Sequence, residues 1–299
     1  MTVLTPSLGR RGILVSTLGL SMAALPVRAD EPSAAFAGSI DGARLSVADL
    51  CRMALVNYGH FSTMRVSRRS VQGLDFQIER LQRSTRLLFN ADLAIDRVLG
   101  HVRDAVPDDD ATYLVRINIF PRNPAWMKLG APMQPAVLVT RSVIDAADVQ
   151  SQAVKTVRHE RVLPEVKHVG TFGLFHHRRL AQAQGFDDAL FIDAHRSVSE
   201  GTTWNVGFFD GRRVVLPTAP ALPGGAIHLL RQGMRARGIP FIERDVKLEE
   251  LPRFELAFMT NVPETIQPLK RIDGKQFPVV HPLYDALRAG YGQNSWHSL

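Results

Sequence analysis

One stretch limits what this chain can fold into more than any other, and it covers residues 163–205, LPEVKHVGTFGLFHHRRLAQAQGFDDALFIDAHRSVSEGTTWN. Lys167 follows an extended run, and a helical pattern from Thr171 to Gln184 comes next, with Gly185 as its stop. A short apolar strand follows, and Glu200 then enters a Gly-Thr-Thr turn. One helix and one strand separate Lys167 from Glu200, so the amine and the carboxylate can converge on one small molecule.

Spacing alone does not decide this, because a lone lysine and a lone glutamate are mostly solvated surface charges. The motif context is more specific, and it resembles the class IV aminotransferases, which are fold-type IV enzymes that use pyridoxal 5′-phosphate (PLP). The matching positions are Lys167, Asp193, Glu200-Gly201, Asn205 and Leu222-Pro223-Gly224. The resemblance runs from about Asn57 to about Gly274. It implies a mixed α/β (α+β) fold with a smaller N-terminal α+β domain and a larger C-terminal domain, in which helices surround a β-barrel-like sheet.

The resemblance also implies roles for individual residues. Lys167 would form a Schiff base with PLP, and Glu200 would keep the cofactor's ring nitrogen protonated. Further cofactor contacts would come from Arg80, from the start of a helix at Gly224, Gly225 and Ala226, and from a turn at Thr260 and Asn261. The substrate pocket would include Tyr58, Phe61 and Phe172, and no metal ligands are expected.

Several positions depart from the family's pattern. Ser62 stands where a glutamate is common, and Gln77 replaces a histidine three positions before Arg80. Phe172 stands where the branched-chain enzymes have a tyrosine, and Ala226 and Val262 replace two threonines of the phosphate site. The sequence therefore predicts a phosphate site that relies on backbone amides and on Arg80, and its substrate preference cannot be transferred from the family.

The function expected from the resemblance is transfer of an amino group between an amino acid or amine and a 2-oxo acid. A PLP-dependent lyase of the aminodeoxychorismate type needs the same residues and stays open as an alternative. A second alternative is a non-catalytic member of the fold that binds PLP or another ligand. The family also implies a homodimer.

Charge and cysteine content exclude other classes. The chain has 36 Lys and Arg against 29 Asp and Glu, and three of the basic residues precede Asp30, so the remainder is only mildly basic. That balance does not indicate a nucleic-acid surface, which concentrates basic residues in a patch. The apolar run near the start is too short to span a membrane. The single cysteine, Cys51, excludes an intrachain disulfide and a cysteine metal cluster.

Residues 1–29 are typical of a signal peptide. Arg10 and Arg11 precede a moderately apolar run, and Val27-Arg28-Ala29 resembles a small-residue cleavage site. The arginine pair and the diluted apolar run resemble a twin-arginine signal, although Ser or Thr is missing directly before the pair. The expectation is a periplasmic or exported protein, and the alternative is a cytoplasmic protein whose start lies further in.

Hydrophobic periodicity predicts the remaining organisation. We expect a small domain over 35–145, a linker at 146–152 and the large PLP-binding domain over 153–299. In the helix after Lys167, we expect Phe172, Leu174, Phe175 and Ala181 to point inward. The run from His176 to Arg179 is interpreted as a solvated basic face, because adjacent helix positions diverge in direction.

Overall fold

Two β-sheets carry most of the core in the residues that the structure describes, which are 37–122, 128–144 and 150–299. The structure is a computed structural model. The predicted signal peptide at 1–29 and most of the predicted linker lie outside the described residues. Export and the domain boundaries therefore stay predictions.

The first sheet is antiparallel throughout its seven strands and has the order β16-β4-β3-β5-β6-β1-β2. Its strands are β1 (Ala37–Ile40), β2 (Ala43–Arg44), β3 (His60–Ser67), β4 (Ser70–Gln72), β5 (Thr112–Pro121), β6 (Pro135–Val143) and β16 (Trp296–Ser298). β5 alternates in the period of two that a half-buried strand requires, with Val115, Ile117 and Ile119 almost fully buried. Its edge strand β16 comes from the end of the chain, so the C-terminus belongs to the first sheet.

The second sheet closes on itself. Its strands are β7 (Gln152–Arg158), β8 (Asp188–Ile192), β9 (Val198–Gly201), β10 (Asn205–Phe209), β11 (Val214–Pro217), β12 (Phe241–Arg244), β13 (Leu256–Asn261), β14 (Thr265–Ile272) and β15 (Lys275–Gln276). The order β10-β13-β14-β7-β8-β9 returns to β10 through the pair Asn205 and Glu200. This closure gives the β-barrel-like sheet that the resemblance implied.

Helices cover both sheets. They are α1 (Val47–Leu55), α2 (Leu74–Phe89), α3 (Ile95–Ala105), α4 (Phe172–Gln182), α5 (Gly225–Ala236) and α6 (Pro282–Gly292), together with a 3₁₀ helix at Leu248–Arg253. α2 and α3 pack their apolar residues on the first sheet, around the fully buried Phe89 and Val102. α5 and α6 pack against the second sheet through Leu230 and Tyr284. None of the helices in the described part of the chain has the length and apolarity needed to cross a membrane.

Most of the helices and strands match the hydrophobic periodicity, but the inward face predicted for α4 is half wrong. Leu174 and Ala181 are buried as expected, whereas Phe172 is 82% exposed and Phe175 49% exposed. Leu174 and Ala181 lie seven positions apart, which is two helical turns, so they share the face that packs on the sheet. Phe172 lies at the first turn of the helix, where its ring stacks on His176 rather than on the core.

Candidate active site

A cavity of about 480 Å³ lies where the two sheets meet α4 and the start of α5. The first sheet contributes Phe61, Thr63, Leu114 and Arg116 to its lining. Most of the predicted site residues line the same cavity, namely Arg80, Lys167, Glu200, Gly224, Gly225, Ala226, Thr260 and Asn261. The fold therefore brings together residues that are 181 positions apart at the extremes, Arg80 and Asn261.

Lys167 lies in the loop between β7 and α4, and the first sheet fixes its backbone. The carbonyl of Lys167 accepts a hydrogen bond from the Phe61 N–H at 2.9 Å, and the Val169 N–H donates to the Gly59 carbonyl at 3.0 Å. The Nζ of Lys167 lies 4.7 Å from the centroid of the Phe61 ring. Lys167 lies in a loop, yet these backbone hydrogen bonds pair the loop with the start of β3 as a neighbouring strand would. The pairing keeps the Lys167 amine inside the cavity.

Glu200 lies on β9 at the point where the barrel closes, and it is only 4% exposed. Its Oε1 is 3.6 Å from the Nε of Arg161, which is also buried. Asn205, the residue paired with Glu200, donates from Nδ2 to the Leu222 carbonyl at 2.9 Å. The loop that leads into α5 is therefore tied to the strand next to Glu200.

The electrostatics of the cavity push the amine and the carboxyl group toward their neutral forms. Burial, reinforced by Arg80 and Arg161, lowers the pKa of Lys167 to about 7, and Glu200 opposes this shift. Burial raises the pKa of Glu200 to about 7, against the lowering effects of Arg161, the Leu222 N–H and Lys167. An amine that loses its proton near neutral pH can act as a nucleophile and as a base.

Gly201 holds the loop after Glu200 against an aromatic ring. A Cβ at this position would lie 1.9 Å from Cε2 of Trp204, whose Nε1 donates to the Asp188 carboxylate at 2.8 Å. We expect Gly201→Ala to lower the free energy of unfolding by roughly 1–3 kcal/mol, the usual cost of forcing an extra methyl group into a packed core. Chemical denaturation measures the change.

Gly100→Ala is the matched control for this substitution, because no atom of the described residues lies within 4 Å of the added Cβ. Gly100 is inside α3, so alanine there should leave stability unchanged or raise it by about 0.5–1 kcal/mol. Equal effects of the two substitutions would contradict the close contact between Gly201 and Trp204.

Arg80 is a buried guanidinium without an acidic partner among the described residues. It is 4% exposed, and its Nη2 donates to Ser62 and Gln77 while its Nη1 donates to the Pro223 carbonyl. Burial, with a smaller effect of Arg83, lowers its pKa to about 10, so it stays charged at neutral pH. A buried charge of this kind favours an anionic ligand.

The start of α5 lies beside Arg80. Gly224 is the N-cap and has no side-chain cap, so the first amides of the helix are free to donate to an anion. A Cβ on Gly224 would lie 2.3 Å from Oδ1 of Asn205, and one on Gly225 would lie 2.4 Å from Nε2 of Gln77. An alanine at either position would have to displace the end of the neighbouring amide side chain, that of Asn205 or Gln77.

Five buried polar atoms of residues that line the cavity have no hydrogen-bond partner among the described residues. They are Nε of Arg80, Arg161 and Arg178, Oε1 of Glu200 and Oγ1 of Thr260. Thr260 is 1% exposed at the end of β13, whereas the Asn261 side chain accepts the Glu264 N–H and so caps the following turn. A ligand with an anionic end and a proton-donating ring atom would satisfy the guanidinium, the hydroxyl and the carboxylate together.

Two of the three residues predicted for the substrate pocket are not brought to the cavity. Phe61 lines it, but Tyr58 packs against Phe89 beneath the sheet, where its hydroxyl donates to the Leu88 carbonyl at 2.9 Å. Tyr58 lies just before β3, and because both of these contacts are with the end of α2, its side chain faces that helix and not the cavity. Phe172 is exposed on α4 and does not belong to the cavity lining in the described part of the chain.

Three arginines of the cavity were not predicted as site residues. Arg161 pairs with Glu200, and Arg116 lies on β5 with its guanidinium 3.6 Å from the Phe61 ring centroid. Arg178 donates to Thr202 and Thr203 and is paired with Asp188 at 2.9 Å, so the interpretation of residues 176–179 as a solvated face is wrong for Arg178. Arg116 lies on the face of β5 opposite Val115 and Ile117, so the alternation along this strand could have indicated it. No local pattern marks the other two.

The chain is similar to known proteins in sequence and in fold. The sequence pattern of the family "Amino-transferase class IV" matches residues 59–272. A probable branched-chain-amino-acid aminotransferase from Rickettsia felis is 28% identical over 123 residues, which span 39% of this chain and 41% of that protein. The alignment thus covers less than half the length of this relative.

Solved structures share the fold. A branched-chain aminotransferase from Thermoproteus uzoniensis superposes with a TM-score of 0.75 at 20% identity, over 86% of this chain and 93% of that one. A putative 4-amino-4-deoxychorismate lyase from Legionella pneumophila gives a TM-score of 0.71 at 21% identity, over 81% of this chain and 93% of that one. The family pattern covers more than half of the sequence and includes both Lys167 and Glu200. This chain belongs to the class IV aminotransferase family.

Proposed function

We propose that this protein is a PLP-dependent aminotransferase that moves an amino group between an amino acid or amine and a 2-oxo acid. The observation that carries the proposal is the convergence of Lys167, Glu200 and Arg80 on one cavity. Their amine, carboxyl and guanidinium groups match the aldehyde, the ring nitrogen and the phosphate of PLP, the cofactor of class IV aminotransferases.

The residues present fit the cofactor at each of its polar groups. Arg80, the free amides at the start of α5 and the unpartnered hydroxyl of Thr260 would hold the phosphate. The unpartnered Oε1 of Glu200 would accept a hydrogen bond from the ring nitrogen. Bound PLP supplies an aldehyde that condenses with amino groups and a ring that accepts the electron pair released at the substrate's α-carbon.

Lys167 would hold the cofactor covalently, yield it to the amino donor, and then move the α-proton as general base and general acid. Its lowered pKa suits this task, since a neutral amine is required to attack the aldehyde and to accept the α-proton, and the protonated amine can then give that proton back. Arg116, stacked on Phe61 at the cavity wall and without an acidic partner among the described residues, would bind a substrate carboxylate.

A lyase of the aminodeoxychorismate type is the second candidate, and the fold shared with the Legionella protein favours keeping it. A non-catalytic binding protein is the third, because Ala226 and Val262 remove two phosphate-binding hydroxyl groups.

We also propose that the protein forms a homodimer and that residues 1–29 direct its export. Size measurement in solution and sequencing of the mature N-terminus test these two points.

One experiment separates the three candidates. The purified protein is loaded with PLP, reduced with borohydride and digested, and the modified peptide is identified by mass spectrometry. We expect the pyridoxyl group on Lys167, and its absence there favours the binding protein. With unreduced protein and an amino donor, conversion of an added 2-oxo acid to its amino acid supports transamination, whereas pyruvate release from aminodeoxychorismate without a 2-oxo acid supports the lyase.

The covalent attachment of PLP is expected to depend on pH with an inflection near 7. Lys167 is faced by Arg80 from α2, Arg161 from the loop before it, Arg116 from β5 and Glu200 from β9. Because its pKa is lowered to about 7, the neutral amine increases as pH rises through 7 and then reaches a plateau. Stopped-flow absorbance measures the rate, with Nα-acetyl-lysine as the control of ordinary pKa. A rate that keeps rising to pH 10 contradicts the lowered pKa.

A further inference from the structure

Ser62, Gln77 and Arg80 form a closed hydrogen-bonded triangle beneath the start of α5. Nη2 of Arg80 donates to Oγ of Ser62 at 2.6 Å and to Oε1 of Gln77 at 2.7 Å, and the Ser62 hydroxyl donates to the same Gln77 oxygen at 2.5 Å. The three side chains are 0%, 3% and 4% exposed. Ser62 and Gln77 are two of the positions at which the chain departs from its family, so the two departures meet in one contact.

The triangle contains no negative charge. Both partners of Nη2 are neutral, and the remaining hydrogen bond of the guanidinium is to the Pro223 carbonyl. The charged group that influences the pKa of Arg80 is another cation, Arg83. Ser62 and Gln77 therefore satisfy the N–H groups on Nη2 of Arg80 without cancelling its charge, which remains available to a ligand.

The triangle also fixes the direction of the guanidinium. The hydrogen bonds from Nη2 to Ser62 and Gln77 and from Nη1 to Pro223 hold the planar guanidinium of Arg80 in one orientation. Its Nε has no partner among the described residues. The other end of the Gln77 amide, Nε2, lies against Gly225, where a Cβ would be only 2.4 Å away. The same side chain thus contacts both Arg80 and the first turn of α5, the two groups that would bind an anion.

We propose that Ser62 and Gln77 are positioning residues for phosphate recognition, which orient Arg80 toward the start of α5 and leave its charge uncompensated. This inference rests on the proposed use of PLP. It assigns the specificity for the phosphorylated form of the cofactor to a neutral acceptor pair on β3 and α2. A merely structural role would require only that the buried hydrogen bonds be satisfied, whatever the charge of the acceptor.

Gln77→Glu separates the two roles because it keeps the shape and the acceptor oxygen and adds a charge. The carboxylate would form a buried ion pair with Arg80 and compete with the phosphate. We expect the Kd for PLP to rise on the order of 10–100-fold, the range seen when hydrogen-bond partners of metal-binding side chains are changed. The Kd for pyridoxal, which has a hydroxyl group in place of the phosphate, should not change.

Absorbance titrations of the full-length protein with PLP and with pyridoxal give both constants. Gln232→Glu is the matched control, because Gln232 is exposed on α5 and the same charge is added far from Arg80's acceptors. Ser62→Ala removes one acceptor and should weaken PLP more than pyridoxal, by a smaller factor. Thermal unfolding of each unloaded variant shows whether that variant is folded. If Gln77→Glu does not fold, the two constants of Ser62→Ala decide whether the pair has the positioning role.

An unchanged Kd for PLP in both variants, or an equal loss for PLP and pyridoxal, would overturn the positioning role while leaving the proposed function intact. Failure of the unaltered protein to bind PLP would instead refute the proposed function. The ratio of the Kd for pyridoxal to the Kd for PLP measures the preference for the phosphorylated cofactor. A fall of this ratio in Gln77→Glu, but not in Gln232→Glu, supports the inference.

Discussion

Lys167→Ala is expected to abolish covalent attachment of PLP and to lower the rate of amino-group transfer by about 10²–10⁴-fold or more, the contribution that a positioned general acid and base makes. The amine of Lys167 is buried in the cavity with Glu200, Arg80 and Arg161. In the described residues, no other lysine lines the cavity. The substitution therefore removes both the proposed attachment point and the proposed proton carrier.

The measurement is a steady-state assay with an amino donor and a 2-oxo acid, together with the absorbance of the loaded protein. Lys275→Ala is the control, since Lys275 lies on β15 beside Phe277 and outside the cavity. Added methylamine should restore part of the rate in Lys167→Ala by supplying the lost amine. Full activity in Lys167→Ala would refute the role of this residue and with it the proposed mechanism.

Glu200→Gln should have the second largest effect, a loss of about 10²–10³-fold in kcat, comparable to the loss of one preorganised polar group at a reacting centre. The amide keeps the shape but cannot carry the negative charge that stabilises a protonated ring nitrogen. The side chain of Arg161 is only 5% exposed, and its Nε lies 3.6 Å from Oε1 of Glu200, so Arg161 would also lose its acidic partner. The loss should appear in kcat more than in the Kd for PLP, because in the proposed mode of binding Arg80 and α5 would hold the phosphate.

The absorbance spectrum of the loaded Glu200→Gln protein gives a second measurement that is independent of turnover. We expect the pH at which the bound cofactor changes its absorbance to shift, because the ring nitrogen loses its charge partner. Glu264→Gln is the control, an exposed glutamate at the cavity mouth. Equal spectra and equal kcat in Glu200→Gln and the unaltered protein would remove Glu200 from the mechanism.

At the proposed phosphate site, two positions depart from the family's pattern, and the structure offers other polar groups there. Ala226 and Val262 supply no hydroxyl groups, yet the buried Arg80 and Thr260 both have unpartnered polar atoms beside the start of α5. Phosphate binding by backbone amides and one guanidinium remains possible without the missing side chains. The departures therefore predict a change in cofactor affinity rather than a change of reaction.

Much of the fold follows from local sequence. The period of two in β5 and the glycine-bounded helical patterns of α4 and α5 depend on residues close together in the chain, and all three elements form where the pattern places them. The short strands β9, β12 and β16 were not predicted. Each has four residues or fewer. β12 and β16 are strands because segments remote in the chain, β11 and β4, pair with them, whereas β9 pairs with its neighbours β8 and β10.

The sequence by itself determined the helices and long strands, the family, and the candidates Lys167, Glu200 and Arg80, because these depend on local periodicity and on motifs that are contiguous in the chain. Only the tertiary structure decided which side chains accompany them. It placed Arg161 against Glu200 and Gln77 against Arg80, and it left Tyr58 and Phe172 outside the cavity. The physical reason is that the direction of a side chain at the end of a strand or helix is set by long-range pairing and packing, which no local pattern records.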